Sequence, residues 1–330
     1  MNFKSKKFLQ RSSQILKEFV YDFFHYSPVY AIDSLCWWLC YYYCPWGKVF
    51  SFFWRRKHFF IISYLKRNCP ASWRCIEEKQ YPETQFPVSE FRIWVFWWQG
   101  MGSAPDLVKI CYRQLCQNCG DKVVLLTSDN LKNYLSLPDY IYEKVSSKKI
   151  SLTHFSDIIR VSLLAQYGGL WIDATCWTSS APPVWIYRQP FYSCKINDDS
   201  LWRGWLLGTG FIDHPTFVFI KMIFLEYWEK NDHLIDYLLL DHLLKYLFDN
   251  VPQIHKDMLA LRANNSNRSE LYNYLPQIRN SEIYERICAD TWCFKLSWKT
   301  SFAKKTADGK KTFFGWMDET SRGIKENEAN

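Results

Sequence analysis

The sequence predicts an α/β domain with a mostly parallel sheet, preceded by a helical segment, and three observations carry that prediction. From Glu90 onward, short β-branched and aromatic runs alternate with stretches of helical periodicity, the order expected of strand–helix units. Glycines punctuate the ends of the helical stretches, at Gly120 and at Gly168-Gly169. The first eighty residues lack this alternation and are rich in aromatic and basic side chains instead. With 330 residues, 48% of them hydrophobic, the chain can bury a large core without disulfide or metal staples. The expected division is residues 1–84 as a helical, aromatic and basic segment and residues 85–330 as the α/β domain, ending in a mobile charged tail from Lys325.

Composition narrows the partners. A formal charge of +8 and seventeen Trp suit an anionic lipid surface, a phosphorylated small molecule or nucleic acid. No nucleic-acid motif follows in the sequence, so nucleic acid is not an expected partner. The start of the chain is basic but has neither the apolar core nor the cleavage site of a secretory signal, which predicts a cytoplasmic protein. Residues 34–47, SLCWWLCYYYCPWG, are uncharged but fall short of the ~20 residues a membrane span needs. Lys48, Arg55, Arg56, Lys57 and His58 follow, interleaved with aromatics. Two readings stay open: a segment resting on the inner face of the cell membrane, and a helical layer packed on the main domain. Cys36, Cys40 and Cys44 recur every four residues, one apolar stripe of a helix, and Cys116 and Cys119 form a lone CxxC. Reduced cysteines acting as small hydrophobes are the expected reading. The sequons at Asn264 and Asn267 read as a polar loop.

In the main domain, residues 91–98 (FRIWVFWW) predict a first strand. A helix is expected to open at Ser103-Ala104-Pro105-Asp106, with Ser103 as its N-cap, and to stop at Gly120. Residues 122–127 (KVVLLT) form a second strand, followed by the turn Ser128-Asp129-Asn130. Residues 151–167 are helical, with Phe155, Ile158, Ile159 and Leu163 on one face, and Leu170-Trp171-Ile172 is a strand that delivers Asp173 to its C-terminal end. In open α/β sheets that end is where ligands bind. Two amphipathic helices over 217–228 and 233–248 and a late strand over 293–298 complete the reading.

Chemistry concentrates in residues 154–175, HFSDIIRVSLLAQYGGLWIDAT. Asp157 and Arg160 are three apart and share a helix face, and the Gly168-Gly169 reversal brings Asp173 back beside them. Two carboxylates and a guanidinium at a sheet edge suit a nucleotide diphosphate: carboxylates for ribose or sugar hydroxyls, arginine for phosphate charge. Taken singly, the same residues also read as a surface ion pair and a turn aspartate.

The block resembles the capsular polysaccharide synthesis family of bacterial sugar transferases, related to the DxD-motif transferases of glycosyltransferase family 32. Ser156-Asp157-Ile158-Ile159-Arg160, Tyr167-Gly168-Gly169 and Trp171-Ile172-Asp173-Ala174-Thr175 are similar to that family's motifs in order and spacing. The resemblance extends to IWVFWWQG at 93–100, LLTSDN at 125–130, IDYLLLDHLL at 235–244 and FKLSWK at 294–299. It implies a GT-A-like fold, a nucleotide-sugar donor, a glycan or lipid-linked acceptor and transfer of a hexose with retention at the anomeric carbon. It also implies donor contacts from Trp97, Asp157, Arg160, Asp173 and Thr175, with Asp173 the catalytic and metal-holding aspartate. Thr175 is the departure, standing where those relatives carry a second metal-holding aspartate. A divalent cation, Mn2+ or Mg2+, is therefore expected with one carboxylate fewer than usual. The competing expectation is a non-catalytic member of a polysaccharide assembly complex that binds nucleotide or glycan.

Other residues carry weaker signals. Asp236 and Asp241 are read onto one helix, five apart, so at most one faces the acceptor side of the pocket. His154 shares the face of Asp157. His233 and His242 lack ligand-like partners in sequence, and Asn197-Asp198-Asp199 is a polar turn that could reach an acceptor.

Overall fold

The computed structural model of the chain describes residues 3–43, 47–78, 85–197 and 200–323; Cys44, Asp198, Asp199 and the tail from Lys325 lie outside the described residues. The described residues contain seven strands: β1 (Ile93–Phe96), β2 (Val123–Leu126), β3 (Gly169–Ile172), β4 (Cys176–Thr178), β5 (Tyr192–Ser193), β6 (Leu206–Thr209) and β7 (Cys293–Lys295). Five of them form a sheet in the order β2-β1-β3-β6-β5. β1 is parallel to β2 and β3, whereas β6 runs antiparallel to both β3 and β5. One strand is thus reversed in an otherwise parallel sheet, as the sequence predicts. β4 and β7 pair separately as a short antiparallel ladder.

Alternation along the strands divides the core. Trp94 and Phe96 of β1 and Trp171 of β3 enter one apolar layer, while Ile93, Val95, Leu170 and Ile172 enter the other. Both faces are buried, as a parallel sheet requires. The first layer is covered by α8 (Leu152–Tyr167), α9 (Pro215–Lys230) and α10 (Leu239–Asn250). The second is covered by α5 (Asp106–Cys119), which presents Val108 and Leu115. The short helices α6 (Leu131–Tyr134) and α7 (Asp139–Ser146) join β2 to α8. After α10 come α11 (Pro252–Ala260), α12 (Glu270–Tyr274), α13 (Ser281–Cys288) and α14 (Phe313–Thr320). α14 closes a third cluster with the β4–β7 pair, in which Trp177, Phe294 and Phe313 are fully buried.

Several boundaries differ from the sequence reading. Trp97 and Trp98 lie past the end of β1, although the Trp97 N–H still donates to the Leu126 carbonyl at 3.0 Å. Ser103 does not cap α5: its hydroxyl donates to the Gln99 carbonyl within a 3-10 turn, and Pro105 occupies the N-cap. Proline's fixed φ starts that helix with no side-chain acceptor. Residues 233–238 are not helical, because the Asp236 carboxylate accepts the Leu238 N–H at 2.7 Å and closes a turn ahead of α10. The predicted loop over 264–268 is present. Its Asn265 side chain is buried and accepts the N–H groups of Trp292 and Cys293, each at 3.0 Å.

The first residues form α1 (Phe3–His25), α2 (Pro28–Tyr43), α3 (Lys48–Asn68) and α4 (Pro70–Glu78). Their inner faces belong to the main core: Tyr30, Ile61, Leu65 and Trp73 pack with residues of α8, α9 and α10. Polar ties hold the layer down. Tyr30 donates to the Ile235 carbonyl at 2.6 Å, Ser72 to Glu226 at 2.7 Å, and the fully buried Lys57 ammonium lies 2.6 Å from Asp236 and over the Trp37 ring. The outer faces are different. On α3, Val49, Phe52, Arg55, Arg56 and Phe59 are exposed along one stripe, beside Val29 and Ile32 of α2. No helix among the described residues is long and apolar enough to cross a membrane.

Asp22 on α1 faces the same interface. Burial, reinforced by the neighbouring Asp236 charge, pushes its carboxyl up to about 8 even though Lys57 opposes the shift. The folded chain therefore keeps a proton on Asp22 that the unfolded chain releases near pH 4, so stability falls as pH rises from about 4 to about 8. Asp22→Asn removes that part of the slope. The variant's thermal midpoint should exceed the wild type's at pH 8, with the gap closing towards pH 4; identical slopes for both proteins would contradict the assignment.

Candidate functional site

α8 starts on a true cap: the Ser151 hydroxyl accepts the His154 N–H at 3.2 Å. Phe155, Ile158, Ile159 and Leu163 anchor it in the core, which leaves Asp157 and Arg160 on the flank facing the end of β3. The helix ends at Gly168 and Gly169, both at positive φ. A Cβ at Gly168 would meet the Phe86 ring at 2.4 Å, and one at Gly169 would meet the Arg92 carbonyl oxygen at 2.4 Å. Only glycines make this reversal, and it sets β3 against β1 so that Asp173 emerges at the sheet's C-terminal edge.

Asp173 is the hub. Its Oδ1 accepts from Trp171 Nε1 at 2.9 Å and from the Arg160 guanidinium at 3.2 Å. Its Oδ2 accepts from Lys295 Nζ at 2.6 Å. Arg160 also donates to Asp157 and lies over the Trp171 ring, 4.8 Å from its centroid. Lys295 donates in addition to Thr175 Oγ1 at 2.9 Å. That contact is set by the backbone: Cys176 of β4 pairs with Lys295 of β7, and the Leu296 N–H donates to the Thr175 carbonyl at 3.0 Å. The Arg160 side chain is 5% exposed, whereas those of Asp173 and Lys295 are 28% and 29% exposed and open to a ligand.

Burial alone would raise the Asp173 carboxyl, but the Lys295 and Arg160 charges and the hydrogen bonds from Lys295 and Trp171 hold it below its ordinary value. Burial would likewise lower Lys295, and the Asp173 carboxylate outweighs this and keeps it protonated. The pair stays charged throughout the neutral range.

Asp241, in the first turn of α10, belongs to the same neighbourhood. It accepts from Trp202 Nε1 at 3.0 Å; burial pushes its carboxyl up to about 6, with the Asp157 charge adding to the rise. Asp236 is not brought to the site, since it is committed to Lys57 and to its own turn. The two do not share a helix as expected, since Asp236 lies ahead of α10. His154 is buried behind Asp157, its Nδ1 3.6 Å from the carboxylate and its ring against Phe224 and Trp228. His242 is held neutral by burial, which pushes it down to about 3, and stacks on Trp54. Trp97 is half-buried, with Trp298 edge-on beside it at 6.2 Å between centroids; Trp298 is 47% exposed. Cys116 and Cys119 are free thiols, and burial pushes Cys119 up to about 12, so it is not a thiolate nucleophile at neutral pH.

Sequence reasoning missed Lys295 and Trp298. Lys295 meets Asp173 across 122 residues of chain. The signal available was a single lysine closing an otherwise apolar strand.

The residues at Asp173 do not fit a divalent cation. Asp157 is bonded to Arg160 and Asp241 to Trp202, both Asp173 oxygens are already engaged, and Thr175 offers a neutral hydroxyl that Lys295 occupies. No cluster of three His, Cys, Asp or Glu side chains among the described residues could hold a metal. A divalent cation at nucleotide phosphates ordinarily takes one or two protein carboxylates beside the phosphate oxygens, and the Asp173 carboxylate that would serve is taken up by Trp171, Arg160 and Lys295.

The family described as Capsular polysaccharide synthesis protein matches the chain over residues 48–316. No curated protein matches it. Among solved structures, one titled "PaToxG Glycosyltransferase" is similar at 13% identity and a TM-score of 0.36, over 71% of this chain and 94% of that one.

Proposed function

We propose a reaction for this chain, which belongs to the capsular polysaccharide synthesis protein family: it is a glycosyltransferase that moves a hexose from a nucleotide-sugar donor to a polysaccharide or lipid-linked glycan. The observation that carries this reading is the convergence of Asp157, Arg160, Asp173 and Lys295 at the end of β3. Two carboxylates suit ribose and sugar hydroxyls, and two cations suit a diphosphate. Trp97, with Trp298 beside it, offers a ring face to the nucleobase. The mostly parallel sheet, with Asp173 after β3 and a separate β4–β7 ladder that brings Lys295 to it, supports a GT-A-like architecture.

The bond that breaks joins the anomeric carbon to the distal phosphate, and its electron pair stays on the phosphate oxygen. The acceptor hydroxyl oxygen forms the new bond, and its proton passes to the departing phosphate. Attack of the acceptor oxygen on the face from which the phosphate departs, the geometry in which that phosphate can take the proton, gives retention. The protein's work is positioning and neutralisation of the charge that builds on the diphosphate.

The purified protein, incubated with a panel of nucleotide sugars, should release nucleoside diphosphate from one of them. Binding without release from any would favour the alternative of a non-catalytic member of an assembly complex. Neither binding nor release would contradict the reading altogether.

A lipid-linked acceptor places the reaction at the inner face of the membrane, and the exposed stripe of α3 supports peripheral attachment there. Phe52, Phe59, Arg55 and Arg56 line a cavity of about 540 Å3 together with Val29 of α2. Aromatic side chains with arginines among them match the boundary of an anionic bilayer. The protein should float with anionic liposomes and be partly released by salt, which screens the arginines and leaves the aromatic contribution. Phe52→Ser with Phe59→Ser should abolish the salt-resistant part. A wild-type protein that stays in solution at low salt would contradict peripheral attachment.

A further inference from the structure

We propose that the Lys295 ammonium stands in this site where a divalent cation would otherwise neutralise the diphosphate, so that donor binding and transfer proceed without metal. The inference rests on the glycosyltransferase reading and specifies how the leaving-group charge is met. Lys295 Nζ bridges Asp173 Oδ2 and Thr175 Oγ1 at 2.6 and 2.9 Å, the two side chains that flank the expected metal position. A lysine ammonium is a compact point charge with three donors. Two are used in those bonds, and the side chain is 29% exposed, so a third is available to a phosphate oxygen.

The local charge count agrees. Asp157 and Asp173 are matched by Arg160 and Lys295, and Asp241 is opposed by the nearby Arg203 charge, so the site holds no surplus negative charge to draw in a divalent ion. A diphosphate entering the same place meets two cations, one of them deeply buried and aligned by Asp157 and Trp171. Thr175 acquires a physical reason as well. A second carboxylate at that position would hold Lys295 in a closed ion pair, whereas a hydroxyl orients the ammonium and leaves its charge for the ligand. The β4–β7 ladder keeps Lys295 opposite Cys176, so its placement does not depend on a bound ion.

Calorimetric titration of UDP, GDP, ADP and CDP into the full chain, in EDTA and then in Mn2+ or Mg2+, tests this. One nucleotide should bind with an affinity that changes by no more than about twofold between conditions. Lys295→Met should weaken it about tenfold or more, the loss expected for a hydrogen bond to a charged group. In Lys295→Met combined with Thr175→Asp, two carboxylates face each other without the ammonium, and binding should return only when Mn2+ is added. A purely structural lysine would not produce that switch. Should Lys295→Met fail to fold, Lys295→Gln and the wild-type metal comparison decide the matter. Nucleotide binding that appears only with Mn2+ or Mg2+, or wild-type affinity in Lys295→Met or Lys295→Gln, would overturn the inference while leaving the transferase reading intact. If none of the four nucleotides binds in either condition, the transferase reading fails, and this inference with it.

Discussion

Asp173→Ala should abolish sugar transfer, with a fall of at least about 100-fold, the scale of loss when a reacting centre is displaced by an ångström. The carboxylate touches Arg160, Trp171 and Lys295 together. Without it Arg160 keeps its Asp157 contact and Lys295 its Thr175 contact, but the two cations lose the anion between them that fixes their relative position. Asp173 is partly exposed, so solvent moderates the stability cost and the variant should still unfold cooperatively at a somewhat lower midpoint. Asp173→Asn keeps an acceptor for Trp171 but not the charge, and should fall between the alanine variant and the wild type. Assaying nucleoside diphosphate release for all three checks the order. Full activity in Asp173→Ala would remove the site from this part of the molecule.

Arg160→Ala should weaken nucleotide binding by about 10- to 150-fold, which corresponds to the ~1.5–3 kcal/mol of a charge-assisted hydrogen bond. Arg160 is nearly buried between Asp157 and Asp173, so its removal also leaves two carboxylates facing each other with Lys295 alone to balance them. The variant should therefore lose thermal stability as well as affinity, and the two effects need separating. Arg160→Lys keeps the charge but cannot reach both carboxylates with a planar fork. It should recover stability more fully than affinity. Calorimetry on both variants would show Arg160 to be purely structural if the alanine variant binds nucleotide as the wild type does.

The legible part of this protein is the part whose geometry is local. A three-residue spacing on α8, two glycines and a four-residue strand place Asp157, Arg160 and Asp173 together, and each step follows from short-range backbone rules. The sheet was legible for the same reason, because its strands are apolar runs bounded by turns. Lys295 was not, because nothing in its own segment says which of many distant carboxylates it will meet. The β4–β7 register decides that, and register between strands so far apart is a property of the folded chain. Asp236 shows the converse error. Helical periodicity runs back through residues 233–238, but a side chain that accepts its own downstream N–H and meets a buried lysine overrides it. The aromatic excess of the first eighty residues left two readings: the inner rings pack on the main core, as the packed-layer reading has it, and an outer stripe of α3 stays exposed.

In the proposed reaction a nucleotide diphosphate sits at the end of β3 between Arg160 and Lys295. A crystal structure of the protein with the nucleoside diphosphate released in the transfer assay tests this most directly. It should show phosphate oxygens within hydrogen-bond distance of Lys295 Nζ and the Arg160 guanidinium, the base against Trp97, and no metal ion bridging Asp173 to the phosphates. A diphosphate bound elsewhere, with the Asp173–Lys295 pair untouched, would contradict it.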